Sequence, residues 1–202
     1  ALELSLFLSL PATIALLIAS EEITSSLFGY GSFDDLSVKN SAKALFYFAL
    51  GLPAFSFIKI FSSFLFARHN TKVPFYFSVI SVIINIIISI YYFNKIGFII
   101  IPMATTISSW LNAILLLIYL TNKKYYSINS IFLYSLIKIS LSTAITSYIF
   151  YNLINFFSDN LSYNSEYKLV SIILLVIVTF IIYILTSILT KAFKISDIKL
   201  KY

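Results

Sequence analysis

The sequence predicts an all-α integral membrane protein with six transmembrane helices. The 202 residues are 60% hydrophobic and only 11% charged, where a soluble domain carries roughly 25% charged residues. Mean hydropathy is +0.97. Six apolar stretches approach or exceed the roughly 20 residues a spanning helix needs: 4–19, 42–66, 74–93, 98–120, 131–156 and 169–190. Open sheet edges cannot face lipid and no alternating strand pattern recurs, so the spans are helices.

The first span is short and holds Pro11. After it, ITSSLFGYGSFDDLSVKN (23–40) mixes apolar and polar residues and reads as an interfacial turn. Gly29 and Gly31 allow tight geometry there, and Ser32 or Asp34 can cap the next helix. The second span contains Gly51 and Pro53. A proline removes a backbone hydrogen bond and bends a helix. Bent helices line substrate paths in transporters, although ordinary curvature leaves the same mark. Only Asn94-Lys95-Ile96-Gly97 separates the third and fourth spans, a tight turn with Gly97 as helix C-cap. The fourth carries Thr105, Thr106, Ser108, Ser109 and Asn112, and the third carries Asn85. Such residues line a polar cavity or bond a neighbouring helix, and the second role is the commoner one.

The net charge of +6 does not point to nucleic acid, because the basic residues flank apolar runs instead of clustering. Arg68, Lys72, Lys123, Lys124, Lys191, Lys194, Lys199 and Lys201 fall on one side of the predicted topology. Lys39, Lys43, Lys95 and Lys168 fall on the other, with most of the acids. The positive-inside rule puts the first set, and the C-terminus, in the cytoplasm. The chain opens Ala-Leu-Glu, with neither a basic region nor a cleavage site around its first apolar run. That predicts the latter part of a longer protein rather than a signal peptide.

No cysteine is present, so thiolate metal sites and disulfides are excluded. His69 is the only histidine, and the adjacent Asp34-Asp35 pair is weak support for a cation site. Neither a phosphate-binding loop nor a protease or hydrolase motif occurs, and no cofactor is expected.

The polar chemistry concentrates in FARHNTKVP, 66–74, which holds the only arginine. Arg68 and Lys72 there are expected to orient the neighbouring helices. Lys59 lies about 10 Å of helix rise inside the membrane. Charges at that depth cost at least about 2.5–3.5 kcal/mol on an isolated helix and usually face a cavity or a partner. Side chains lean toward the helix N-terminus, which carries Lys59 toward the midplane; on an oppositely directed helix Lys138 leans to the headgroups.

Three stretches then carry a family resemblance: SLPATIALLIASEEITSSLFGYGSF, ALGLPAFSFIKIFSSFLFARHNTKVP and NKIGFIIIPMATTISSWLNAILLL. Together they resemble the MurJ (MviN) lipid II flippases of the multidrug/oligosaccharidyl-lipid/polysaccharide exporter superfamily, over most of 8–120. Gly51, Pro53, Lys59, Ala67, Arg68, Thr71, Lys72 and Pro74 stand where the family pattern places such residues, while His69 departs from the usual Gly, Gln or Asn. Residues 131–190 match only as two hydrophobic spans.

The resemblance implies fourteen spans, cytoplasmic termini and two six-helix lobes around a cationic cavity, of which this chain is spans nine to fourteen. Residues 1–125 would then be part of the C-terminal lobe. Residues 126–202 would be two further helices, forming a polyprenyl-tail groove, with a basic tail. The implied role is lipid II flipping by alternating access in the bacterial inner (cytoplasmic) membrane. Membrane lipid, a lipid-linked glycan precursor and the missing N-terminal lobe of the same chain are the implied partners. Expected cavity or gate residues are Lys59, Pro53, Arg68, Lys72 and Asn112. The other readings are a polysaccharide-repeat or drug exporter of the same superfamily, and a membrane-embedded polyprenyl-phosphate transferase, whose only candidate acids are Glu21, Glu22, Asp34 and Asp35.

Overall fold

The computed structural model describes residues 1–127 and 129–192. Among these there is no strand. In chain order the helices are α1 (Leu2–Ile18), α2 (Ser20–Phe28), α3 (Asp35–Ala49), α4 (Leu52–Ala67) and α5 (Lys72–Ile96). A single 3₁₀ turn (Gly97–Ile99) follows, then α6 (Ile100–Asn122), α7 (Ser130–Phe156), the short α8 (Ser158–Leu161) and α9 (Lys168–Leu189).

Helical structure runs almost unbroken from Lys72 to Asn122, 51 residues. A single straight helix of that length would be about 77 Å long, more than twice a bilayer core of roughly 30 Å. Gly97 reverses it, with φ +76°. Across the resulting hairpin Asn85 reaches Thr105 and Ser108, Ser78 meets Asn112, and Asn70 meets Tyr119. Residue numbers fall along α5 as they rise along α6, so the two are antiparallel passes. Phe132–Phe156 and Lys168–Leu189 are each long and apolar enough to cross alone. Two bent pairs also pass that test, α1 with α2 at 78° and α3 with α4 at 43°. Counting each bent pair once gives the six predicted spans.

Both bends revise the sequence expectation. Residues 20–28 form a helix where 23–40 reads as a turn, which shrinks to 29–34. The stretch SEEITSSLF has no Gly or Pro, and Glu21 and Glu22 in its first turn suit the positive end of the helix dipole. Pro53 does not kink a continuous helix but sits in the first turn of a new one, α4, where its missing N–H costs nothing. At this break Gly51 donates back to Phe48 rather than to Tyr47. Donors from α6 stitch the gap, with Thr106 Oγ1 bonded to the Tyr47 carbonyl (2.6 Å) and Trp110 Nε1 to that of Leu50 (3.0 Å). A Cβ on Gly51 would lie 3.0–3.1 Å from the Phe55 ring and Thr106 Oγ1, so glycine lets α6 approach.

The bundle has two ends. Turns 29–34, 97–99 and 157–167 make the elbow end, and turns 68–71 and 123–127 with residues 190–192 make the basic end. Three helices finish at the basic end with one geometry. Asn70 N–H bonds Leu65 O and His69 N–H bonds Phe66 O; Tyr125 with Leu120 and Lys124 with Thr121 repeat it, as do Ala192 with Ser187 and Lys191 with Ile188. This is the Schellman pairing, in which the turn residue is left-handed. Here those residues are His69, Lys124 and Lys191, with φ of 58°, 56° and 55°. Lys194, Lys199 and Lys201 lie outside the described residues.

Candidate functional site

Two places in the bundle have the geometry to engage a ligand. The first is an apolar groove of about 220 Å³ between α1, α7 and α9, walled by Leu8, Pro11, Ala15, Phe150, Val176 and Phe180 among others. Hydroxyl pairs zip α7 to α9 behind it, Ser142 to Thr190 at 2.6 Å and Thr146 to Thr186 at 3.1 Å. Such side chains join helices where lipid supplies no hydrophobic drive. Pro11 lacks the N–H that would bond Phe7 O one turn back. Tyr183 Oη donates to that carbonyl from α9 at 2.7 Å, fixing α1 against the pair. Sequence reasoning saw Pro11 and missed Tyr183, since nothing local marks which helix will deliver the donor.

The second place is a crevice of about 590 Å³ along α4 and α5, lined by Ser62, Phe66, Thr71, Lys72, Phe75 and Ser78 among others. Ser62 and Phe66 follow Lys59 at i+3 and i+7, on one helix face. Lys59 is exposed and no described residue bonds it. Asn112 is only 6% exposed; its amide makes a long 3.5 Å contact to Ser78 on the crevice wall, and its Oδ1 has no partner among the described residues.

The expected residues therefore separate. Lys72 and, through Ser78, Asn112 meet at the crevice, on the strip that continues to Lys59. Arg68 turns elsewhere, its guanidinium 4.8 Å from the Phe64 ring centre and 4.2 Å from that of Tyr125, pinning the end of α4 to the end of α6. Pro53 is buried at the α3–α4 break. The polar cluster of α6 serves packing: Thr105 and Ser108 meet Asn85, and Thr106 meets Tyr47.

Asp34 and Asp35, at the elbow end, are engaged by their own helix. Asp34 Oδ1 accepts from Ser37 N–H at 2.8 Å, and Asp35 pairs with Lys39 at 2.6 Å. The Ser37 hydroxyl and then its N–H hold the Asp34 carboxyl below the usual range. No cluster of three or more His, Cys, Asp or Glu that could hold a metal occurs among the described residues.

Lys168 is where sequence reasoning failed most clearly. It reads as a membrane-flanking charge, yet it is 1% exposed. Its Nζ donates to Gly29 O and Tyr163 O, both at 2.7 Å, and lies 4.3 Å and 4.7 Å from the ring centres of Tyr30 and Tyr163.

Helices long and apolar enough to span, beside an apolar groove and a crevice carrying Lys72, define a multi-pass membrane protein. Residues 1–172 match the family described as lipid II flippase MurJ. A probable lipid II flippase MurJ of Rickettsia prowazekii is 37% identical over 123 residues, covering 61% of this chain and 24% of that protein. One from Thermotoga maritima is 32% identical over 194 residues, covering 96% and 37%. A solved lipid II flippase MurJ in an inward closed conformation superposes with a TM-score of 0.75 at 25% identity, over 94% of this chain and 38% of that one. The chain belongs to the MurJ lipid II flippase family. It spans about a quarter to two fifths of the length of these relatives.

Proposed function

We propose that this chain is the C-terminal part of a lipid II flippase of the bacterial inner membrane. It would work by alternating access with an N-terminal lobe of the same protein. In this reading residues 1–125 belong to the C-terminal lobe, while 126–202 add two helices whose groove with α1 takes the polyprenyl tail. The basic end and the C-terminus face the cytoplasm, as the distribution of lysine and arginine favours.

Lys59 is the observation that carries the proposal. In a membrane, a lysine at that depth on a packed helix, with no bond to any described residue, either snorkels to the interface or, more often, faces a cavity or an outside partner. An anionic lipid-linked headgroup crossing between two lobes provides one. Lys72 and the Asn112–Ser78 wall extend the same polar strip to the basic end. Arg68 acts as a brace between helix ends, outside the transport path.

The test is complementation of a flippase-depleted strain with the complete protein. Lys59→Ala is expected to lower function well below that of Lys138→Ala at equal protein level. Equal loss, or equal tolerance, would overturn the assignment.

A further inference from the structure

Among the described residues the buried Lys168 ammonium has no carboxylate partner. The one ion pair among the described residues joins Lys39 and Asp35. Burying a charge costs several kcal/mol unless dipoles replace its water. Here two carbonyls and two aromatic faces do so. One of the carbonyls belongs to Gly29, at the negative C-terminal end of α2. Lys168 itself opens α9, whose own dipole disfavours a cation there. The box around the ammonium is therefore made by α2 and the 162–167 turn, and the lysine joins them to α9.

Two weaker ties flank it. Ser26 Oγ donates to the Lys168 carbonyl at 3.2 Å, and Tyr163 Oη donates to Phe33 O at 2.8 Å. A Cβ on Gly29 would sit 2.6 Å from Ser25 O and 3.1 Å from the Tyr163 ring, so this approach is close. The tied segments are about 140 positions apart in sequence and belong to the two regions that the family resemblance separates. Toward the groove, Ala19, Phe150, Ile154, Ile172 and Leu175 pack directly beneath the latch, with Ala15 beside them. Ala15 and Phe150 also wall the groove. At the other end of the groove stands the Tyr183–Phe7 bond.

We infer that Lys168 is a positioning residue: its ammonium latches the α1–α2 elbow to the start of α9 and so sets the width of the groove at its elbow end. The consequence for a lipid tail rests on the groove's reading above; the latch itself does not.

The test uses the complete protein, with any cysteine elsewhere replaced and spin labels at Ser32→Cys and Asn164→Cys, both exposed. Pulsed electron resonance is expected to give one narrow distance. Lys168→Met should broaden it into more than one population. Lys168→Gly should broaden it too, and n-butylammonium, but not n-butanol, should narrow it again by refilling the box. A distance unchanged in Lys168→Met overturns the latch. Should that variant not accumulate, Lys168→Gly purified in n-butylammonium and then dialysed gives the same comparison, and no change on dialysis overturns it. Broadening in a protein that flips no lipid-linked precursor would sink the functional reading and leave the latch standing.

Discussion

Tyr183 and Lys168 show how one side chain can fix a helix against another when no water is available to satisfy its backbone. Tyr183→Phe removes the donor that reaches across to Phe7 O. Interhelical polar contacts in membranes are worth roughly 0.6 kcal/mol on average and 1.7 at most. The expected loss is about 1 kcal/mol, read as a lower unfolding midpoint in detergent, with Tyr148→Phe, an exposed tyrosine of α7, as an unaffected control. An equal effect of both would show that the phenol, not its bond to α1, matters.

Asp34 gives a pH dependence of known sign. Its folded pKa is depressed by Ser37, so its contribution to the first turn of α3 is present above the unfolded value, near 3.9. It is lost as pH falls through the lower folded value. Fraying of that turn on acidification, followed by hydrogen exchange, should be absent in Asp34→Ser, which caps without titrating.

At the scale of elements, the hairpin of α5 and α6 was legible because one glycine stood between two long apolar runs. Gly97 holds φ +76° with nothing within 4 Å of an added Cβ. Gly97, with ψ −155°, lies in a region essentially reserved for glycine, so Gly97→Ala tests conformation alone and is expected to cost about 1–3 kcal/mol in a denaturant titration. A neutral result would mean that the turn can rearrange. The break between α3 and α4 was only half legible. Gly51 and Pro53 marked the place, but proline at the start of a helix and proline within one look alike in sequence. The deciding residues, Thr106 and Trp110, come more than fifty positions later. Thr106→Val should weaken the junction by about 1 kcal/mol. The elbow helix α2 was hidden for another reason: its polar residues resemble a loop until the buried faces of Ser25 and Ser26 are seen.

For the whole molecule, hydropathy located the long apolar helices because bilayer thickness constrains every helix alike. It could not tell which charges stay at the surface, since that depends on helices brought together from distant sequence. Lys168 is the clearest case, and Lys59, without a partner among the described residues, is its counterpart. Orientation is open to a direct test. A glycosylation acceptor inserted at 158–164 should be modified and one at 122–128 should not; the reverse pattern would invert the bundle. Along α5, Ile83, Ile86, Ile87 and Ile90 are exposed, as expected for a helix facing lipid.

The left-handed caps at His69, Lys124 and Lys191 have a consequence for biosynthesis. Each stands where glycine would fit without strain, and a side chain there costs about 1–2 kcal/mol. A chain emerging into the membrane is sorted by its charges before any cap has formed. Glycine at these three sites would give a more stable folded bundle, and at Lys124 and Lys191 it would also remove a positive charge from one flank. At Lys124 and Lys191 charge-guided insertion and final stability thus make opposite demands on the same residue.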